Sequence, residues 1–374
     1  MVPLAQNIRE EIGKQGVIPF SRYMELALYC PDYGFYEKEG DNIGRGGDFY
    51  TSVSVGPLLG EFLGFQFASW FDEWASRGEA GRAGRLQLIE AGAHNGQLGY
   101  DVLTWLKSRR PEVLERTEYF ILEPSTRRRE WQRKTLAVFA DKLTWHDDFP
   151  PVPSRITHHA SRFTVCFSNE LLDAMPVSRF GWDAVKQTWF EWGVAVDEDR
   201  FVWARLPNEI DSASLKLPSA PELLDVLPDG YIVEISLAAE EWWSRAARSL
   251  QCGKLLAFDY GFGVAESLIP ERSHGTLRAY RQHKQVTDVL ADPGEQDITA
   301  HVNFPRIEEV GATVGLKTEL FETQGKFLTT IAAEAWKPEA KFGPWDQKRT
   351  RQFQTLTHPQ HLGRSFRVLI QSRD

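Results

Sequence analysis

The segment LQLIEAGAHNGQL, from Leu86 to Leu98, carries the strongest structural signal in this chain. Its apolar run ends in Glu90, and Gly92 and Gly96 then allow the backbone to approach a ligand without a Cβ. Apolar residues continue beyond Leu98 at helical spacing. The segment therefore predicts a buried strand, a glycine turn and a helix, which is a junction that binds nucleoside cofactors. An ordinary tight connection between a strand and a helix is the alternative.

A second apolar run, Tyr119 to Leu122, ends in Glu123. In a parallel sheet this carboxylate is expected beside the first turn, where it can accept hydrogen bonds from ribose hydroxyls. No G-x-G-x-x-G spacing can be written through Gly92 and Gly96, which disfavours a nicotinamide-dependent dehydrogenase. S-adenosyl-L-methionine (SAM) fits better, because it has no phosphate and needs a glycine-lined floor and an acid for its ribose.

Composition and length indicate a globular protein with a large core. The chain has 374 residues, of which 42% are hydrophobic and 25% are charged, so we expect a core of roughly 200 residues plus additions. No apolar stretch is long enough to cross a membrane, so no membrane insertion is predicted. The first residues form neither an apolar signal sequence nor an Arg-rich transit peptide, which predicts a cytoplasmic protein.

The net charge and the spacing of possible metal ligands argue against nucleic-acid binding and against a metal site. The net charge of −9 disfavours nonspecific binding of nucleic acid and tolerates a cationic protein substrate. The three cysteines lie far apart, and the nine histidines lack ligand spacing. We therefore predict neither a disulfide framework nor a metal site.

Strands and helices alternate through much of the chain, which predicts an α/β fold with a Rossmann-like core sheet. The pattern includes a helix over Arg127 to Phe139, a third core strand over Leu143 to Phe149, and closing strands over Lys317 to Phe321 and Phe366 to Gln371. We predict an N-terminal cap of helices and loops over residues 1–82 and the first half of the core over 83–180. An antiparallel β insertion follows over 181–230, and the second half of the core over 231–374. The Trp-rich insertion is interpreted as a platform for a substrate or for a homodimer.

Several separate segments resemble the MidA family of SAM-dependent methyltransferases. They are PFSRYMELALYCPDYGFY (19–36), GGDFYTS (46–52), SNELLDAMPV (168–177) and GTLRAYRQHKQVTDVLADPGEQDITAHVNF (275–304). The resemblance implies a class I methyltransferase fold, SAM as the cofactor and an arginine of a protein as the methyl acceptor. The mitochondrial members of the family act on a respiratory complex I subunit during assembly.

One position departs from the family pattern E-x-G-x-G-x-G-x-L, because His94 replaces the central glycine. Its side chain either narrows the pocket for the methionine portion of SAM or points outward. A noncatalytic SAM-binding assembly or scaffolding factor is the alternative function.

The predicted cofactor contacts lie in the G-D-F-x-T-S loop and at the ends of the strands. They are Gly47, Asp48, Phe49, Thr51, Glu90, Gly92, Gly96, Glu123 and Asp147. The resemblance implies that the loop covers the cofactor, with Asp48 near its amino group, and that Asp147 lies near the adenine. Capping of the next helix is the alternative role of Thr51.

The predicted catalytic residues are Asn169, Glu170, Asp173 and His301. A carboxylate can accept two parallel hydrogen bonds from an arginine, so Glu170 is the candidate for holding a guanidinium. Asp173 alternatively caps a turn and faces solvent, and His301 is either a proton acceptor or a structural residue. Asp259 ends a later core strand and is expected on the substrate side.

Overall fold

The computed structural model describes residues 3–38, 51–77, 84–149, 162–282 and 284–374. The strands are β1 (Ile18–Pro19), β2 (Arg85–Ala91), β3 (Thr117–Leu122), β4 (Leu143–His146), β5 (Arg162–Asn169), β6 (Ser178–Asp183), β7 (Thr188–Asp197), β8 (Arg200–Arg205), β9 (Ile232–Ile235), β10 (Gly253–Phe262), β11 (Arg278–Arg281), β12 (Lys284–Val286), β13 (Asp297–Thr299), β14 (Val302–Asn303), β15 (Lys317–Thr323) and β16 (Phe366–Arg373). The α-helices are α1 (Pro3–Gln15), α2 (Phe20–Tyr29), α3 (Leu58–Ala75), α4 (Gln97–Arg109), α5 (Pro111–Glu115), α6 (Thr126–Thr135), α7 (Pro221–Leu224), α8 (Leu237–Ser249), α9 (Phe304–Thr313), α10 (Gln324–Ala335), α11 (Gln347–Thr357) and α12 (Leu362–Ser365).

The chain forms two units, each assembled from separated segments. The core unit comprises Tyr50–Leu172, Trp242–Gly261 and Phe304–Asp374. The accessory unit comprises Met1–Phe49, Asp173–Glu241 and Phe262–Asn303. The division into four parts at residues 82, 180 and 230 stays a prediction.

The core unit contains a sheet with the strand order β15-β16-β10-β5-β2-β3-β4. The five strands from β10 to β4 are parallel, and β16 is antiparallel to both of its neighbours. The chain order runs from β2 toward β4 on one side and from β5 toward β10 on the other, so the direction of winding reverses between β2 and β5. Ligands of open α/β sheets bind in the crevice at the carboxyl ends of strands at such a switch point.

Burial explains why the sequence signal for these strands was strong. Residues 86–91 of β2 and 163–168 of β5 are all buried. Continuous apolar runs are typical of parallel strands that are covered on both faces. Helix α3 supplies part of this cover, since the ring of Phe67 lies 5.1 Å from that of Phe167 on β5. Burial of one such side chain stabilises the fold by about 1.5 to 3 kcal/mol.

The accessory unit contains an antiparallel sheet in the order β1-β7-β6-β9, with β8 paired to β7, and a smaller sheet in the order β12-β11-β13. The antiparallel insertion predicted from the sequence is confirmed. Strand β1 was not predicted; it pairs Ile18 with Val194 and Pro19 with Gly193 of β7. Helices α1 and α2 share a buried apolar cluster with this sheet. The N-terminal segment is thus joined to the insertion by strand pairing.

Two predicted elements end earlier than expected. The helix predicted over Arg127 to Phe139 is α6, which ends at Thr135, and Phe139 has a non-helical backbone with φ −123° and ψ 18°. The third core strand, predicted to reach Phe149, ends at His146. Among the helices in the described ranges, none combines the length and the hydropathy that a membrane span needs.

Candidate cofactor and active site

The glycine turn after β2 has a backbone that suits its glycines. Gly92 and Gly96 have φ values of +71° and +85°, a region that side chains other than glycine rarely adopt. A Cβ on Gly92 would lie 3.0 Å from Cδ1 of Leu171, and one on Gly96 would lie 3.0 Å from Cδ1 of Leu136. Both positions therefore need glycine for conformation and for space, and the turn lies directly against the residue that follows Glu170.

His94 occupies the same turn with φ +46°, also in the left-handed region. Its half-buried imidazole lies 6.1 Å from the ring of Trp131 on α6 in an edge-to-face arrangement. Its carbonyl oxygen accepts a hydrogen bond of 3.0 Å from Nε2 of Gln132. The imidazole is therefore packed toward α6 in this structure.

Glu123 is held by several hydrogen bonds at the end of β3. The side chain is buried, with 4% of the residue exposed. Its Oε1 accepts from the backbone N–H of Ser125 at 3.0 Å, and its Oε2 accepts from Nε2 of Gln132 at 3.0 Å. Its own carbonyl oxygen accepts from Nε of Arg129 at 2.6 Å. A carboxylate at this place is the kind of acceptor to which ribose hydroxyls donate.

Glu90 and Asp147 differ sharply in their surroundings. Glu90 is buried under the turn and accepts a hydrogen bond of 2.6 Å from the hydroxyl of Tyr119. Burial raises the pKa of Glu90 to about 7. Asp147 lies past the end of β4, is mostly exposed and forms an ion pair with Arg129. Such an exposed pair contributes about 0 to 1 kcal/mol. The cofactor contacts of Glu90 and Asp147 stay predictions.

The end of β5 presents Glu170 in an unusual backbone conformation. Glu170 is half-buried and has φ +53°, a left-handed conformation that is uncommon for a residue with a side chain. Its Oε1 accepts hydrogen bonds from the N–H of Ser52 at 3.0 Å and from Nδ2 of Asn169 at 2.9 Å. Backbone strain at such a place is typical of functional sites.

Asp259 maintains the loop that follows Glu170. The residue is fully buried, and its Oδ2 accepts from the N–H groups of Leu171 at 3.2 Å and Leu172 at 2.8 Å. Its Oδ1 accepts from the N–H of Tyr260 at 2.8 Å. The sequence placed Asp259 on the substrate side, whereas these bonds give it a positioning role. The only signal in the sequence was its place at the end of a predicted strand, and the observed β10 continues beyond it to Phe262.

The G-D-F-x-T-S loop is described only from Thr51 onward; Gly47, Asp48 and Phe49 lie outside the described residues. The hydroxyl of Thr51 accepts from the N–H of Ser54 at 3.1 Å, in the turn that precedes α3. Helix α3 begins after Pro57 without a side-chain cap, so the alternative in which Thr51 caps this helix is wrong. A contact of Thr51 with the cofactor stays a prediction.

Asp173 and His301 belong to the accessory unit. Asp173 is only 6% exposed, so the solvent-facing alternative for it is wrong. Burial lowers the pKa of His301 to about 4, so its imidazole is neutral at physiological pH. The structure brings the other described candidates together in the core unit, and the catalytic roles of Asp173 and His301 stay predictions.

The core unit fits a nucleoside cofactor that carries no phosphate. The switch point, the two glycines and the buried Glu123 lie together at the carboxyl ends of the strands, where the sequence predicts a floor for the cofactor and an acid for its ribose. Oδ1 of Asn169 is buried at the end of β5 and has no hydrogen-bond partner among the described residues. Within the same described ranges, no group of three or more His, Cys, Asp or Glu is arranged to hold a metal ion. This sheet order and site define a class I SAM-dependent methyltransferase.

Comparisons with known proteins agree with this class. Residues 62–322 match a family model described as "Putative S-adenosyl-L-methionine-dependent methyltransferase". A solved structure of a COG1565 superfamily member from Burkholderia thailandensis, bound to S-adenosyl-homocysteine, is 30% identical, has a TM-score of 0.82 and covers 99% of this chain and 92% of that one. The chain belongs to the MidA family of SAM-dependent methyltransferases, and SAM is its cofactor.

Curated relatives carry more specific names. "Protein arginine methyltransferase NDUFAF7 homolog, mitochondrial" of Drosophila melanogaster is 27% identical over 98% of this chain and 84% of its own length. The Mus musculus protein arginine methyltransferase NDUFAF7 is also 27% identical, over 98% of this chain and 83% of its own length. Both are named mitochondrial, which contradicts the cytoplasmic location expected from the sequence. That expectation was wrong because an N-terminal segment without a targeting pattern does not determine a compartment.

Proposed function

We propose that this methyltransferase acts on an arginine of a protein substrate and that Glu170 holds the guanidinium. The observation that carries the proposal is the position of Glu170. Its neighbour Leu171 lies against Gly92 of the cofactor turn, and its carboxylate is fixed by Ser52 and Asn169. The names of the curated relatives support arginine as the acceptor.

The chemistry assigned to Glu170 follows from its charge and geometry. SAM supplies an electrophilic methyl group on a sulfonium centre. A carboxylate beside that group accepts N–H bonds from a guanidinium and keeps one nitrogen aimed at the methyl carbon. As the new N–C bond forms, the S–CH3 bond breaks and S-adenosyl-homocysteine leaves, and the same carboxylate can take up the proton that the nitrogen loses. The MidA resemblance favours a respiratory complex subunit as the substrate. Formation of a homodimer stays a prediction.

Labelled methyl transfer tests the proposal. The protein is incubated with methyl-labelled SAM and with peptides that differ only in carrying arginine or lysine. We expect label in the arginine peptide alone. Glu170→Gln should lower turnover by about 100-fold or more while retaining affinity for S-adenosyl-homocysteine (SAH).

Glu334→Gln is the matched control, because Glu334 is exposed and pairs with the nearby Lys337 on the surface. Its turnover should equal that of the parent. Equal turnover of Glu170→Gln and the parent would contradict the assigned role of Glu170, and label in lysine would contradict the acceptor.

A further inference from the structure

Helix α6 carries one side chain that the function described above does not use. Its sequence TRRREWQRKT has the composition of a solvated basic helix, yet Gln132 is fully buried. A buried amide needs partners for its two N–H donors and its oxygen. The contacts of Gln132 connect the parts of the predicted cofactor site.

Each partner of Gln132 belongs to a different element. Nε2 donates to the carbonyl oxygen of His94 in the glycine turn and to Oε2 of Glu123 after β3, both at 3.0 Å. Oε1 accepts from Nε1 of Trp145 on β4 at 2.9 Å. Two of these partners can only accept and the third can only donate, so the chemistry fixes the orientation of the amide.

The approach of α6 to the turn depends on Gly96. A Cβ at this position would lie 3.4 Å from Cα of Gln132 and 3.0 Å from Cδ1 of Leu136. Because Gly96 has no side chain, the helix comes close enough for one amide to reach the turn and the acid together. The left-handed backbone of His94 is stabilised by the same amide.

We propose that Gln132 is a positioning residue for cofactor binding, which sets the distance between the glycine turn and the carboxylate of Glu123. The inference rests on the proposed contact between Glu123 and the ribose. Glutamine is required because a glutamate at this position cannot donate to two acceptors and would place a second carboxylate against Glu123. An apolar side chain of similar length would remove the bonds without adding charge.

The test is the affinity of the whole protein for SAH, measured by calorimetry at about pH 8 and about pH 5.5, which bracket the protonation of a glutamate beside another carboxylate. Affinities are expressed as the ratio of variant to parent at each pH, so that groups common to both proteins, such as the neighbouring His94 and His146, are present on both sides of the comparison. The charged groups next to Gln132 on α6 are Arg129 and Arg133.

Gln132→Glu should bind SAH about 10-fold or more weakly at the higher pH. The loss should shrink at the lower pH, since the introduced carboxyl group, once protonated, can donate its O–H to Glu123. Gln132→Met should show a loss of about 3-fold to 10-fold that does not change with pH. A role limited to folding would not produce this difference between the two variants.

Gln371→Glu is the matched control. Gln371 is also fully buried, accepts from Nε1 of Trp243 at 2.7 Å and donates to the carbonyl oxygen of Glu308 at 2.9 Å. Gln371→Glu should lower the free energy of unfolding. The ratio of its SAH affinity to that of the parent should be the same at both pH values. If this control weakens binding as much as Gln132→Glu does, the inference is wrong.

If Gln132→Glu does not fold, Gln132→Met alone tests the inference. An SAH affinity of Gln132→Met within about twofold of that of the parent would overturn the inference. The SAH affinity of Glu123→Ala is measured in the same way. An affinity equal to that of the parent would refute the contact between Glu123 and the ribose. A loss in Glu123→Ala without a loss in the Gln132 variants would refute only the role of Gln132.

Discussion

Glu123 and Glu170 follow strands of the same sheet but are fixed by different means. Glu123 is 4% exposed and is held partly by a side-chain amide of a helix. Glu170 is half-buried, has a left-handed backbone and belongs to a loop whose backbone N–H groups donate to Asp259. A rigid, enclosed acid suits a ligand of constant shape such as SAM, whereas a partly exposed acid suits a side chain that a protein substrate presents.

The largest expected effect concerns the loop after Glu170. Asp259→Ala should lower the free energy of unfolding by about 3 kcal/mol, because three buried N–H groups lose their acceptor. Asp259→Asn is the control, since its amide oxygen can still accept from part of the loop and should lose less. Urea denaturation measures both. A loss below about 1 kcal/mol in Asp259→Ala would show that the loop does not depend on this carboxylate.

The acid after β3 should affect binding rather than folding. Glu123→Ala should weaken SAM binding by about 1.5 to 3 kcal/mol, the range for hydrogen bonds to a charged group. Glu112→Ala is the control, because Glu112 is exposed and pairs with Arg110. Calorimetric titration gives the affinity for SAM. Equal SAM affinities of Glu123→Ala and Glu112→Ala would remove the contrast drawn between Glu123 and Glu170.

The buried acid under the turn predicts a dependence of stability on pH. Burial raises the pKa of Glu90 from 4.5 to about 7. Between these values the folded protein keeps the proton that the unfolded chain has released, so stability is highest at low pH and falls as the pH rises toward about 7. Glu90→Gln should remove a decline of about 1 to 3 kcal/mol in the free energy of unfolding over this pH range.

Asp101 is the internal comparison for that experiment, because burial also raises its pKa to about 7. Asp101→Asn should flatten the profile further when it is combined with Glu90→Gln. Denaturation across the pH range measures both contributions. A profile of Glu90→Gln that runs parallel to that of the parent would mean that the carboxylate is already charged in the fold.

The smallest expected effect is at His94. His94→Gly should bind SAH at least as tightly as the parent, since glycine adopts φ +46° readily and removes an imidazole from the turn. The change in folding free energy should stay below about 1 kcal/mol. Weaker binding by more than about threefold would mean that the imidazole contributes a contact.

The sequence predicted most of the core sheet, and the clearest signal came from inner strands such as β2 and β5, which are buried on both faces. The run Leu86–Glu90 lies within β2, and the predicted closing strands beginning at Lys317 and Phe366 are β15 and β16. Apolar runs of this kind carry their own signal. The pairing of Ile18 with Val194 could not be predicted, since a strand of two residues has no period and its partner is far away in sequence.

The candidate site was predicted in part for a similar reason. Acids that end strands, such as Glu123 and Glu170, can be located from the strands themselves. Gln132 could not be located from the sequence, because α6 has the composition of an exposed helix. The three hydrogen bonds of this amide depend on tertiary structure. Asp147 directly follows β4, as predicted, but its side chain is mostly exposed and pairs with Arg129.

The place of β16 has a consequence for biosynthesis. This strand lies between β10 and β15 and pairs with both, although it follows them in the chain. Until β16 has been synthesised, β10 and β15 each expose an unpaired edge, which is a template for aggregation. A nascent chain that stops short of residue 366 would lack an interior strand of the sheet, so incomplete products should be substrates for chaperones and proteases.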